Sequence, residues 1–573
     1  MVDPLQAGGL NLNYFPDHRL AGSFGARSLG ARLAILAIPA LYLATASLYS
    51  AASAPWGTQV DPESAYAMNG LIAAAGYPSM KFDHPGTTTT LLVEIIIRLM
   101  ALVARPDDIV AFGLKNYDAI IYAARACEAA ILAGVLLVGG LMVGKATKST
   151  IAALLFQVAP FVHPDTFHFE MVLIPESLMA ASAILAMALA VKAALDPNPP
   201  TVRLGVAAGL VFVFGFSSKY LFLPMAVLAV TLLGNVRAFK ASILTGAIGF
   251  AAFNFIFNPG AITRGFGWMF SLATHKGIYG HGEPGFIDFD LFWLNMGSII
   301  AAAPLVFGLN IVGAVASLAQ MTRDGSRPDP ISRALLASFV VFAAQLVATS
   351  KHFALHYMMT SWVIAGGVLV LTIVQIRRLT PSVPSGALAT TAAAGCAILI
   401  STTLYDIRRD ALENAAMDRL GARLSDAVVK AGPACANVSS MFVRAPENEL
   451  NHGSDMTMAA WGDQKMKDRL SDSYSHAFEI PLLDHNVYSP YLAKNFRPYT
   501  YKKLAVEYPC MVVRTAKLLD VENSHGLLEL GPQHCVVEGV QVYTLGIACE
   551  KIGNAYTAIA AMALDATNIP RDR

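Results

Sequence analysis

The run Thr88-Thr-Thr-Leu-Leu-Val-Glu-Ile-Ile-Ile-Arg-Leu-Met-Ala-Leu-Val-Ala104 decides how this chain is threaded. It is apolar enough to pass for a membrane span, yet Glu94 and Arg98 stand four apart and so share one helical face. Counted as a span, it would reverse the side of every turn that follows. Read as an amphipathic helix lying along the outer surface, it leaves a consistent pattern of basic turns on one side. Those turns carry Lys145 and Lys148, then Lys192 and Arg203, then Arg237 and Lys240. Arg323, Arg327 and Arg333 follow, and finally Arg377 and Arg378. Basic turns face the cytoplasm, so the surface reading holds and the N-terminus lies inside.

Working outward with that parity, the apolar runs read as spans near residues 33–52, 119–143, 150–163, 173–191, 204–217, 220–234, 241–257, 291–318, 334–349, 358–376 and 385–404. Parity also breaks residues 204–234 into a hairpin at Phe-Ser-Ser-Lys-Tyr, and residues 151–191 at His-Pro-Asp-Thr-Phe-His-Phe-Glu. The expected fold class is an all-α polytopic membrane protein of about eleven transmembrane helices with a small C-terminal extracytoplasmic α/β domain. Its parts are a cytoplasmic N-terminal segment (1–32), a transmembrane domain (33–404) with a long first outer loop (53–118), and an extracytoplasmic domain (405–573).

Composition agrees. The 573 residues are 55% hydrophobic and only 14% charged, against roughly 25% charged in soluble domains. Mean hydropathy is +0.51. A net charge of +1 gives no electrostatic case for nucleic acid. Cys127 and Cys396 lie in apolar runs, whereas Cys435, Cys510, Cys535 and Cys549 fall in the polar tail. Four cysteines in one small domain point to an oxidising compartment and up to two disulfides, with three possible pairings. The tail opens with a charged helical stretch, Asp406 to Lys430. Strand-like segments follow: Val-Ser-Ser-Met-Phe-Val-Arg, Tyr-Pro-Cys-Met-Val-Val-Arg and Cys-Val-Val-Glu-Gly-Val-Gln-Val-Tyr-Thr.

The polar residues crowd at the outer boundary. The first outer loop holds Asp-Pro-Glu-Ser-Ala-Tyr from Asp61 and Lys-Phe-Asp-His-Pro-Gly from Lys81. Asp61 and Glu63 stand where a carboxylate can take a proton from an incoming hydroxyl or hold a divalent cation such as Mg or Mn. An Asp-Pro turn with Glu63 in the first turn of a helix would use the same residues. The second outer turn supplies His163, Asp165, His168 and Glu170, with Glu176 following Pro175. Such a group can bind metal or make a plain turn. On the later outer turns the basic residues are few: Lys219, Arg264, Lys276 and Lys351, accompanied by His275, His281, Glu283, His352 and His356. Converging, they would form a basic pocket suited to a lipid-linked phosphate; singly, each would snorkel to headgroups. The sequence contains no phosphate-loop or dinucleotide motif, no His-Glu-x-x-His and no Cys-x-x-Cys.

These residues resemble the motifs of the GT-C membrane glycosyltransferases, of the protein mannosyltransferase and aminoarabinose transferase type. The family pattern is an Asp-Glu stretch with a tyrosine soon after and His-Pro-Pro-Leu further on. The counterparts are Asp61, Glu63 and Tyr66, then His84 and Pro85. Gly215 to Tyr220 is similar to the family's Gly-to-Lys hairpin, Ile174 to Ala180 to the acidic start of its fourth helix, and Lys351 to Met359 to its basic-to-Tyr segment. The likeness covers roughly residues 33–380. Two departures stand out: Asp-Pro-Glu replaces adjacent Asp-Glu, and His-Pro-Gly replaces His-Pro-Pro.

The resemblance implies transfer of a sugar from a polyprenyl-phosphate donor to an extracytoplasmic glycan, lipid or protein, with inversion, at the plasma (inner) membrane. Asp61 or Glu63 would be the base. Asp165, Glu170, Glu176 and His84 would position the acceptor or a metal. Lys219, Arg264, Lys276, His281, Lys351 and His356 would hold the donor phosphate. Metal use is left open by the resemblance. The rival from another class is a lipid flippase or transporter, which would place ionisable residues near the bilayer midplane.

Overall fold

The computed structural model describes residues 29–54, 63–79, 84–276, 283–325, 328–431, 435–440, 477–480, 501–515, 527–537 and 540–549. Asp61 and His281 lie outside these residues. Apolar runs in this chain become helices because a backbone in lipid must satisfy its own hydrogen bonds. Among the described residues, eight helices are long and apolar enough to cross a membrane, nine if a bent pair is one span. The protein is a multi-pass membrane protein.

The chain forms two compact units. The first comprises Met1–Ser50, Pro78–Leu92 and Tyr122–Arg409. In it α1 (Leu29–Ala52) is followed, after the start of α3 (Thr87–Ala104), by α5 (Tyr117–Thr147), α6 (Thr150–Gln157), α7 (Pro164–Glu170), α8 (Pro175–Leu195) and α9 (Val202–Ser218). A 3₁₀ segment (Tyr220–Gly234) leads to α10 (Val236–Phe257), α11 (Pro259–Thr263) and α12 (Gly265–Thr274). Then come α13 (Phe289–Ala302), α14 (Pro304–Asp324), α15 (Pro330–Lys351), α16 (Met359–Val363), α17 (Ala365–Leu379) and the first half of α18 (Ser385–Ala431).

Where water is absent, buried amides tie the helices together. Gln157 Nε2 donates to the carbonyls of Ile35 (3.0 Å) and Leu136 (3.1 Å). Gln345 Oε1 accepts from Ser361 N at 2.8 Å while its Nε2 donates to Leu221 O at 3.1 Å. On α9, a side chain at Gly205 would run into the Ala238 carbonyl at 2.1 Å, so only glycine lets α10 come this close.

The second unit comprises Ala51–Tyr77, Val93–Ile121 and Asp410–Arg573. It holds α2 (Glu63–Ala74), the rest of α3, α4 (Ile109–Lys115), the second half of α18 and a small α/β region. There α19 (Tyr501–Glu507) packs with five strands: β1 (Cys435–Ser440), β2 (Ala477–Ile480), β3 (Cys510–Thr515), β4 (Gln533–Val537) and β5 (Val540–Leu545). The sheet order is β2-β1-β3-β5-β4. β2, β1 and β3 run parallel; β5 joins β3 and β4 antiparallel. Disulfides join Cys435 to Cys510, in-register partners on neighbouring strands, and Cys535 to Cys549. One of the three open pairings is thereby selected.

Several expectations need correcting. Residues 291–318 are not one helix: the chain breaks at Ala303, with Pro304 opening α14, because proline cannot continue the preceding ladder. Residues 150–163 form α6 and a short 3₁₀ turn, Ala159–Phe161, around Pro160. Cys535 to Thr544 is two strands of a hairpin, split after Val537. The predicted boundary at 404/405 falls inside α18, a single helix of 47 residues. The helix over 88–104 forms with Glu94 and Arg98 paired at 2.8 Å on one face. By length and composition it is also capable of crossing a membrane.

Candidate active site

Four motifs distant in sequence meet in the first unit. Ser217 and Ser218 end α9 and Lys219 caps it in extended conformation, as parity required of this hairpin. The His84-Pro85-Gly86 loop docks here: Gly86 N donates to Ser218 O at 2.9 Å. Asn258 Nδ2 donates to Pro85 O at 3.0 Å, and Asn254 bridges Thr87 and Ser217 at 2.7 Å each. Gly86 has φ +54°, a left-handed conformation. Proline could neither adopt that angle nor give the hydrogen bond. The departure from His-Pro-Pro thus has a local physical reason.

Glu176 stands in the first turn of α8, after Ile174 in extended conformation and Pro175 at the first helical position. Its Oε1 accepts a charge-assisted hydrogen bond from Lys219 Nζ, and both side chains are almost wholly buried. His356 Nε2 lies 3.7 Å from the same oxygen. Glu176 Oε2 has no hydrogen-bond partner among the described residues. Aromatic rings enclose the group. His356 lies between Phe169 and Tyr357, with ring centroids at 4.3 Å and 4.4 Å. Lys219 Nζ sits 4.7 Å from the centre of the Tyr357 ring, a geometry that shares its charge with the π face. His84 meets Trp268 edge-on at 5.5 Å and Tyr357 at 6.5 Å.

The other expected residues fall elsewhere. Glu63 opens α2 in the second unit and is buried. Asp165 is 42% exposed and faces His163 Nδ1 at 3.9 Å. Burial pushes His163 below the usual imidazole range, against the opposing charges of Asp165 and Asp406. Glu170 is buried with neither oxygen partnered among the described residues. Its burial holds the carboxyl well above the usual carboxylate range. Lys351 Nζ donates to Ala273 O at 2.8 Å, near the C-terminus of α12 where cations are favoured, and lies over Phe286. Arg264 caps the start of α12 and is exposed, while Lys276 N pairs with Glu283 O at 2.9 Å. Among the described members of the expected phosphate-binding set, Lys219 and His356 meet at Glu176. Among the described residues no three His, Cys, Asp or Glu side chains gather as a metal-binding group.

Sequence reasoning missed Arg125 and Glu128, both buried within α5. Thr89 Oγ1 donates to Glu128 Oε1 at 3.4 Å. The signal was present: Arg-Ala-Cys-Glu interrupts an apolar run, and ionisable residues inside a span are costly. Trp268 carried no such signal, since an aromatic in an apolar context reads as core; Tyr357 lay in the basic-to-Tyr segment already noted.

No family model matches the sequence, and no curated protein matches it either. Two solved structures of ArnT from Cupriavidus metallidurans, one bound to undecaprenyl phosphate and one in the apo state, are similar in fold. Both are 13% identical and cover 89% of this chain and 98% of their own, with TM-scores of 0.46 and 0.49. At that level the likeness is one of fold outline, and the chemistry rests on the residues of this chain.

Proposed function

We propose that this protein is a membrane glycosyltransferase that moves a sugar from a polyprenyl-phosphate donor to an acceptor on the extracytoplasmic side. One observation carries the reading: His84, Glu176, Lys219 and His356, each from a separate motif, meet around the Tyr357 ring. A buried ammonium beside Glu176 and over the Tyr357 ring is a charge suited to a phosphate oxygen. Asp61, or Glu63, takes the acceptor proton. The acceptor oxygen attacks the anomeric carbon, and the carbon–oxygen bond breaks with its electron pair going to the phosphate. Lys219 and His356 stabilise that developing charge. The two disulfides of the second unit fit an oxidising compartment, hence a periplasmic C-terminal domain and a plasma-membrane location.

Purified protein given labelled polyprenyl-phosphate sugars and host-membrane acceptors tests this. Release of polyprenyl phosphate by wild type, reduced on the order of a thousandfold in Asp61→Asn or Glu63→Gln, is expected for loss of the base. Movement of the lipid across vesicles without bond cleavage would instead indicate a flippase, the reading that buried Arg125 and Glu128 in a span would favour.

A further inference from the structure

Gly205 of α9 faces Ala238 of α10 and Gly209 faces Ser242, so these two helices run parallel, and Asn235 Nδ2, between the 3₁₀ segment and α10, donates to Pro200 O, between α8 and α9, at 2.9 Å. The C-termini of α8 and the 3₁₀ segment therefore lie at the same end as the N-termini of α9 and α10. Between them is a chamber of about 220 Å³, part of it open to the surroundings. Leu189, Phe212, Met225, Leu228, Leu232 and Ile243 give it an apolar lining. Among the lining groups, the Thr231 hydroxyl is already used on Leu228 O at 2.7 Å. The chamber's walls run toward four exposed basic side chains at that shared end. Lys192 stands one turn past Leu189 on α8, and Lys240 one turn before Ile243 on α10. Arg237 is a further turn out, and Arg203 lies in the first turn of α9. None of the four has an ion-pair partner among the described residues. One acid is close in sequence, Asp196, whose carboxylate accepts from Asn198 N and Nδ2 at 3.0 and 3.1 Å.

We propose that this end of the bundle is a binding site for an anionic phospholipid of the surrounding bilayer. One acyl chain occupies the chamber, and the phosphate lies against Lys192, Arg203, Arg237 and Lys240. The chamber supplies apolar burial for the chain, and the uncompensated charges supply the headgroup preference. Basic residues that merely snorkel would need no space between the helices beneath them. The site is independent of the glycosyl-transfer reading, since it shares no residue with the Glu176 cluster.

The test is retention of spin-labelled phosphatidylglycerol against phosphatidylcholine of identical chains, on full-length protein in vesicles at low salt. Two variants accompany the wild type. One replaces all four basic residues by glutamine (K192Q, R203Q, R237Q, K240Q); these are exposed, so folding is retained. The other fills the chamber with Ala229→Phe. Expected is a preference for phosphatidylglycerol on the order of tenfold in wild type, lost in the charge variant and reduced in the filled one. Thermal unfolding and size-exclusion profiles confirm that each variant is folded. No preference in wild type, or a preference that survives the charge variant, overturns the proposal. A folded Ala229→Phe protein with undiminished preference also overturns it, leaving snorkelling alone.

Discussion

Glu170 and Glu176 stand six residues apart on either side of one turn, both buried, and they occupy opposite electrostatic situations. Glu176 meets Lys219, with His356 beside the same oxygen. Glu170 meets no cation among the described residues; Tyr42 and Glu128 share its surroundings instead. The same residue type at similar burial is thus hydrogen-bonded to an ammonium in one corner and set among groups that favour its neutral form in the other. The difference teaches that burial alone does not assign a role to an acid: the partner does.

The largest effect should come from breaking the pair. Glu176→Gln leaves Lys219 buried without its counter-charge and should cost about 3–5 kcal/mol of stability. Replacing both partners by apolar residues (E176L with K219M) should cost far less while still removing activity. Denaturation of the single and double variants in detergent decides it; equal losses would mean that the pair is not an ionised one.

The loop at the Glu176 corner gives the next effect. Gly86→Pro should destabilise the protein by about 3 kcal/mol, because the left-handed angle and the hydrogen bond to Ser218 are both lost. Gly86→Ala keeps the N–H and should cost only about 1–2 kcal/mol. A Gly86→Pro protein as stable as wild type would show that the loop is not held this way.

The smallest effect belongs to Glu170. Its folded carboxyl titrates above its unfolded value, so its favourable contribution is complete below the unfolded value and is lost as pH rises through the folded one. Glu170→Gln should therefore match wild type near pH 4 and exceed it by ~1 kcal/mol or more at pH 8. Melting curves across that range read it directly, and an unchanged pH profile would place a cation beside Glu170.

Much of the site was legible from order and sidedness. Lys219 drew attention because it breaks the positive-inside trend, and Glu176 because an acid after proline at the start of a span is costly. Lys351 drew attention on the same grounds, but it donates to the Ala273 carbonyl where Lys219 meets a carboxylate. Local sequence could not separate these two lysines, since both are basic residues at a helix end. Trp268 was invisible because its ring acts through position alone.

By itself the sequence determined that apolar runs become membrane helices, that the hairpin turns at Lys219, and that the cysteines of the tail form a separate group. Periodicity, charge bias and the cost of lipid-exposed backbone act locally, so a linear reading can use them. Only the tertiary structure decided that Glu176 pairs with Lys219, that Cys435 pairs with Cys510, and that Gly86 must be glycine. Each of these depends on a partner brought from 43, 75 or 132 residues away, and that proximity comes from packing.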